Sequence, residues 1–343
     1  MSPFIFMLML LALGLGTTIT FTSTHWLLAW MGLEINTLAM IPLMAQQHHP
    51  RAVEATTKYF LIQATAAATL LFASTINAWY TGQWEISQMT NPLSLIFITI
   101  ALALKLGLAP MHSWLPDVMQ GLNLNTGLIL VTWQKLAPLS LLLQINNNPH
   151  LLIFLGLMSI LLGGWGGLNQ TQLRKLLAYS SIAHLGWMIL ILQFYSSLTL
   201  MTLVIYIITT FSIFNIFKMN KATNINSLST SWVKSPVMSA ITPLILLSLG
   251  GLPPLTGFLP KWMILQELTK HHLTLTATVA ALSALVSLYF YLRLSYTITL
   301  TTAPNTTTNV MPWRFENLHT KMPTAISFIL ATCMLPLLPS ILI

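Results

Sequence analysis

Apolar residues run along this chain in stretches near twenty residues long, parted by short polar or proline-bearing joints. Each stretch is long enough to cross a hydrocarbon core about 30 Å thick. Lipid offers a backbone no hydrogen bonds, so a crossing segment must satisfy its own N–H and C=O groups, and that makes it a helix. Eleven spans follow, at roughly 3–21, 25–44, 58–78, 93–120, 124–143, 150–168, 175–195, 199–218, 237–266, 274–298 and 322–342. The expected fold class is an all-α polytopic membrane protein. The longest joint, 299–321, is rich in Thr, Asn and Pro and reads as an exposed polar loop.

The pattern also repeats. Gly107-Leu-Ala-Pro110-Met-His-Ser-Trp114-Leu-Pro116 matches Gly251-Leu-Pro-Pro254-Leu-Thr-Gly-Phe258-Leu-Pro260, with the shared form G-L-x-P-x-x-x-aromatic-L-P displaced by 144 residues. One copy lies in the fourth span and the other in the ninth. The chain therefore reads as one membrane domain made of a five-helix repeat over 1–145, a second over 146–298, the polar loop 299–321 and a last helix in 322–343. Five is odd, so the two copies are expected in opposite orientations, each with a broken fourth helix. Taken singly, Gly and Pro merely kink a membrane helix. Paired across inverted repeats, they point to a transport site near the bilayer midplane.

Composition fits this frame. Of 343 residues, 55% are hydrophobic and 6% charged, and the mean hydropathy is +0.76. A soluble domain carries about 25% charged residues, so a soluble enzyme is excluded. The net charge of +8 does not signal nucleic acid, because the 14 Lys and Arg form no basic stripe. They sort by side instead. Arg51, Lys58, Arg174, Lys175, Lys218, Lys221, Lys234, Arg314 and Lys321 fall on the side holding the N-terminus, and Lys270 falls opposite. By the positive-inside rule the N-terminal side is the cytoplasm or the mitochondrial matrix. The opening MSPFIFMLMLLALGLG has neither a positive n-region nor a small-residue cleavage site, and reads as a retained helix. Cys333, the only cysteine, rules out an intrachain disulfide or a Cys-ligated metal site and reads as a small apolar side chain.

Against this background a few charges stand out. Glu34 lies about 14 Å into the second span, Lys105 about 18 Å into the fourth and Lys135 about 16 Å into the fifth, at 1.5 Å per residue. Burying one such charge costs about 2.5–3.5 kcal/mol on insertion scales. Desolvation loosens a lysine's hold on its proton, so such a residue can take a proton from one side and release it to the other. Glu34 is the natural modulator and Lys105 its expected partner, with carbonyls freed at the break stabilising the ammonium. The alternative is a static ion pair pinning two helices; Lys135, with no evident acidic partner, favours the proton-carrying reading. Lys261 follows Pro260 beyond the second break, where two readings stand: a further station, or an interfacial anchor that snorkels outward. Its counterpart in the first repeat is Asp117.

His112 sits inside the first break. His184 shares a helical face with Ser180, four residues earlier. No Asp or Glu is near to complete a Ser–His–Asp triad, so both histidines read as members of a hydrated polar relay or as hydrogen bonds between helices. His48 and His49 show no metal-ligand spacing, and no metal site is expected.

Three segments carry a resemblance: Lys105-Leu-Gly-Leu-Ala-Pro-Met-His112-Ser-Trp-Leu-Pro-Asp117-Val, Ala-Tyr-Ser-Ser-Ile-Ala-His184-Leu-Gly-Trp, and Gly-Gly-Leu-Pro-Pro-Leu-Thr-Gly-Phe-Leu-Pro-Lys261-Trp. Together with Trp30-Met-Gly-Leu-Glu34-Ile-Asn they resemble the antiporter-like membrane subunits of respiratory complex I, along essentially the whole chain. The resemblance implies proton translocation coupled to NADH oxidation and ubiquinone reduction. It implies Glu34 and Lys105 as a coupled pair, Lys135 as the central proton carrier and Lys261 as the exit station. It further implies NAD, FMN, iron–sulfur clusters and ubiquinone bound by other subunits, and no cofactor in this chain. The implied location is the mitochondrial inner membrane, with the N-terminus on the matrix side. The implied partners are neighbouring membrane subunits, above all the antiporter-like ones, and lipids such as cardiolipin. A stand-alone Mrp-type cation/proton antiporter is the rival reading.

Overall fold

Proline and glycine set many of the helix boundaries. The computed structural model describes residues 3–45, 49–145, 148–233, 235–301 and 321–337. Pro50, Pro92 and Pro236 open helices at positions where the missing N–H has no intrahelical partner to lose. Gly82, Gly107 and Gly251 close helices in the left-handed conformation, at φ 70°, 77° and 80°. Side chains cap others: His25, His49 and Asn91 each accept from the backbone N–H two residues on. His49 therefore serves α3 as a cap, and His48 lies outside the described residues.

The chain divides into two compact units, Met1–Met158 and Ser159–Ile343. In the first, α1 (Pro3–Thr22) packs along α2 (Trp26–Met44), followed by α3 (Pro50–Thr81), α4 (Pro92–Leu106), α5 (Trp114–Gly121), α6 (Leu124–Thr132), a 3₁₀ turn at Trp133–Lys135, and α7 (Leu136–Gln144). Small residues bring α1 and α2 together. A Cβ on Gly16 would collide with the Asn36 side chain, and one on Gly32 would stand 2.7 Å from Thr20 Cγ2. Helix α8 (Pro149–Gly167) holds the boundary between the units.

The second unit continues with α9 (Leu173–Ile191), α10 (Ser196–Asn220), α11 (Ile225–Ser229), α12 (Pro236–Gly250), α13 (Phe258–Lys270), α14 (Thr274–Thr299) and α15 (Lys321–Cys333). Its buried centre includes Phe214, Phe217, Phe290 and Tyr291.

Seven of the described helical stretches are long and apolar enough to cross a membrane, and α4, α12 and 322–333 are shorter apolar helices. Two expected spans are interrupted where the repeated motif lies, between α4 and α5 and between α12 and α13. Three details differ from the sequence reading. The third helix begins at Pro50 rather than 58. The fifth expected span is interrupted by the 3₁₀ turn at Trp133–Lys135; Pro138 has no N–H to give the carbonyl of residue 134, which weakens the α-helical ladder at this point. The joint after 220 contains the short helix α11. Lys234, Arg314, most of the polar loop (302–320) and the end of the last span (338–342) lie outside the described residues.

Candidate functional site

The first break is built by its glycine. Gly107 adopts φ 77°, and its N–H bonds the carbonyls of Ala103 and Leu104 while Leu108 N–H returns to Ala103. At the second break Gly251 N–H bonds Leu247 and Ser248 carbonyls, and Leu252 N–H returns to Leu247. Every partner is displaced by the same 144 residues as the sequence motif. Each break also carries a cis X–Pro bond, at Ala109–Pro110 and Pro253–Pro254.

Lys105 sits in the last turn of α4, 6% exposed, and Lys135 in the 3₁₀ turn, 4% exposed. Both line one cavity of about 20 Å³, large enough for a single ordered water, together with Tyr59, Gln63, Trp114 and Gln134. The sequence reading assigned the carbonyls freed at this break to the Lys105 ammonium. They are used otherwise: Trp114 Nε1 donates to Leu104 O at 3.2 Å and Gln63 Nε2 to Lys105 O at 3.4 Å. The Lys105 Nζ is left without a hydrogen-bond partner, and so is Oε2 of Glu34 on α2. The two make no direct ion pair. Buried Asn36, two residues beyond Glu34, keeps its side-chain amide unbonded and gives its carbonyl to Gln134 Nε2 at 3.4 Å. Such an arrangement is a polar pocket lined by two amines, with the Lys105 amine and the Asn36 amide keeping bonding capacity to spare.

The second unit arranges its lysine differently. Lys261, in the first turn of α13, folds back onto the carbonyls freed at the end of α12, donating to Gly250 O at 2.8 Å and Leu249 O at 3.4 Å. The pairing of a lysine with freed carbonyls thus occurs at the second break rather than the first. Gly251 makes room for it, since a Cβ there would stand 2.9 Å from Lys261 Cδ. Lys261 lines a cavity of about 30 Å³ with His184, Thr202, Tyr206, Thr209 and Ser248. The rings of His184 and Tyr206 lie 5.4 Å apart. Instead of snorkelling outward, this lysine is turned inward.

The remaining candidates fall elsewhere. His112 bends onto its own loop, with Nδ1 3.2 Å from Pro110 O, and does not line the cavity of Lys105 and Lys135. Asp117 faces an exposed cluster in which Lys58 lies 2.7 Å from Glu54 and 3.7 Å from Asp117. Among the described residues no group of three His, Cys, Asp or Glu is assembled to hold a metal. Sequence reasoning passed over the uncharged lining: Tyr59, Gln63, Asn36, Gln134 and Tyr206. Their signal was an amide or phenol inside an apolar run, weaker than a charge because it costs less to bury.

Comparison with known proteins follows this geometry. A family model described as NADH:quinone oxidoreductase/Mrp antiporter, transmembrane, matches residues 23–287, and one described as NADH dehydrogenase subunit 2 C-terminus matches 288–342. NADH-ubiquinone oxidoreductase chain 2 of Tetraodon nigroviridis is 68% identical over 343 residues, covering 100% of this chain and 99% of its own. The chain 2 of Danio rerio is 59% identical over 344 residues, with 100% and 99% covered. Among solved structures, a chain of respiratory complex I from Thermus thermophilus with bound aureothin is similar at a TM-score of 0.89 and 28% identity, covering 100% of this chain and 80% of that one. The Mrp complex from Dietzia sp. DQ12-45-1b shares the fold at a TM-score of 0.86 and 14% identity, with 97% and 75% covered. With family models running from residue 23 to 342, and relatives near two-thirds identity along the whole length, the chain belongs to the NADH dehydrogenase subunit 2 branch of the NADH:quinone oxidoreductase/Mrp antiporter membrane family.

Proposed function

We propose that this chain is a core membrane-arm subunit of mitochondrial respiratory complex I, translocating protons as NADH oxidation and ubiquinone reduction proceed in other subunits. The observation that carries the reading is the shared cavity of Lys105 and Lys135, two buried amines, with the buried Oε2 of Glu34 left unbonded on α2. A proton leaves the Lys105 nitrogen and a new N–H forms on Lys135, through the polar lining between them. Glu34 sets how firmly Lys105 holds its proton, so a small shift of α2 or α4 changes the balance. In the second unit Lys261 offers an ammonium stabilised by two helix-end carbonyls, and His184 shares its cavity. NAD, FMN, iron–sulfur clusters and ubiquinone belong to the other subunits, and the redox energy arrives from them.

Eleven crossings, two inverted five-helix repeats and a matrix-side N-terminus complete the proposal, supported by the paired breaks and the one-sided basic residues. Partner subunits are the neighbouring antiporter-like chains, and lipids fill the remaining surface. The stand-alone cation/proton antiporter is less favoured, because the Mrp likeness rests on fold at 14% identity while the curated chain 2 relatives reach 68%. Lys135→Met tests the pump reading. In vesicles of the assembled complex, proton uptake per NADH oxidised falls for a pump; unaltered pumping and turnover would sink the proposal.

A further inference from the structure

One cation inside a helix of the second unit has no role in the proton scheme. Arg293 lies on α14, six residues before the helix ends at Thr299, or about 9 Å from that end. Cations in membrane helices pair with acidic groups or carbonyls. The three ion pairs found among the described residues do not include Arg293. Its one hydrogen bond runs from Nη1 to Leu168 O at 2.9 Å. A guanidinium has five N–H donors, so most of its bonding capacity remains. Leu168 is the first residue beyond α8, which ends at Gly167. The Arg293 side chain therefore snorkels to the level at which a neighbouring helix stops, the depth of lipid headgroups.

The charge opens onto a groove of about 550 Å³ between α11 and α14. Tyr289, Arg293, Tyr296 and Leu300 follow the i, i+4, i+7, i+11 spacing and share one face of α14. Tyr289 and Tyr296 are 59% and 58% exposed and Leu300 is 82% exposed, so this face points outward. Thr301 Oγ1 donates to Ser229 O at 3.0 Å and closes one end. A tyrosine with its polar tip near the helix end, Tyr296, an apolar trough and a fixed cation with spare donors match one ligand class. We propose that this groove binds an anionic phospholipid, with its phosphate on the Arg293 guanidinium and an acyl chain along Leu292 and Leu300. The charge complementarity selects the headgroup, and basic pockets between helices are where anionic headgroups lodge.

Photoactivatable phosphatidylglycerol and phosphatidylcholine, each carrying a diazirine on one acyl chain, test this in the assembled complex in nanodiscs. Cross-linked peptides covering 225–229 and 289–301 are read by mass spectrometry. The anionic probe should label them about fivefold more than the zwitterionic one, the ratio expected from one basic residue near an anionic headgroup. Arg293→Gln brings the two probes to parity, Arg293→Lys keeps the preference, and NADH oxidation is unchanged in both. Should the Gln variant fail to assemble, the preference in the unmodified complex and its loss at about 1 M salt decide the matter, since screening then reaches within about 3 Å. Equal labelling in the unmodified complex overturns the proposal. So does a preference that survives Arg293→Gln, or cross-linking of the groove to a neighbouring subunit in place of lipid.

Discussion

Gly251 and Gly82 both hold φ near 75°, yet their surroundings separate two costs that a glycine usually mixes. A Cβ at Gly82 meets open space, while at Gly251 it meets Lys261. An L-residue in the left-handed region costs about 1–2 kcal/mol by itself. Gly82→Ala should therefore lower the thermal midpoint of the complex slightly and leave proton uptake per NADH intact. Gly251→Ala carries the same backbone cost and also pushes the lysine off the Gly250 carbonyl, so pumping falls with it. Equal pumping in the two variants would mean that the Lys261 contact carries no function. At this scale the sequence exposed the charges, because a lysine in an apolar run is conspicuous. It gave no sign that Lys261 reaches back across the break, because that depends on where seven intervening residues turn.

At the scale of elements, the turn at Trp133–Lys135 and the close α1–α2 contact are the features to test. Pro138→Ala restores an N–H for the carbonyl of Gln134, lets α6 run into α7, and rotates Lys135 away from its cavity. The expected outcome is an assembled complex with reduced proton uptake per NADH; undiminished pumping would show that the turn is incidental. Gly16→Leu acts differently. It wedges α1 from α2, where Asn36 and the Gly32 carbonyl already touch the site of a Cβ, and native gels should show the assembled complex strongly depleted. The broken helices at 107 and 251 were legible in advance, since Gly and Pro punctuate any helix. The 3₁₀ turn was not, because a proline inside a membrane helix is often absorbed as a mere kink.

For the whole molecule, orientation is the testable quantity. Lys221, at the end of α10, and Lys270, at the end of α13, are both exposed, and the proposed topology puts them on opposite sides of the bilayer. In a Cys333→Ser background, Lys221→Cys should react with a membrane-impermeant thiol reagent only from the matrix side, and Lys270→Cys only from the other. Labelling of both from one side would remove the single crossing by α12 and α13 that the proposed topology requires. The sequence by itself determined the class: lipid leaves the backbone no partner outside its own helix, so twenty-residue apolar runs and a repeated Gly/Pro motif specify helices and their breaks. What only the tertiary structure decided was which polar groups meet. Lys105 and Lys135 share a cavity without bonding Glu34 directly, Lys261 takes the carbonyls freed at its own break while those at the first break go to Trp114 and Gln63, and His112 turns away while His184 turns in. Burial cost is a property of each residue and is written in the chain. The partner that offsets it comes from another helix, and that is fixed only when the helices pack.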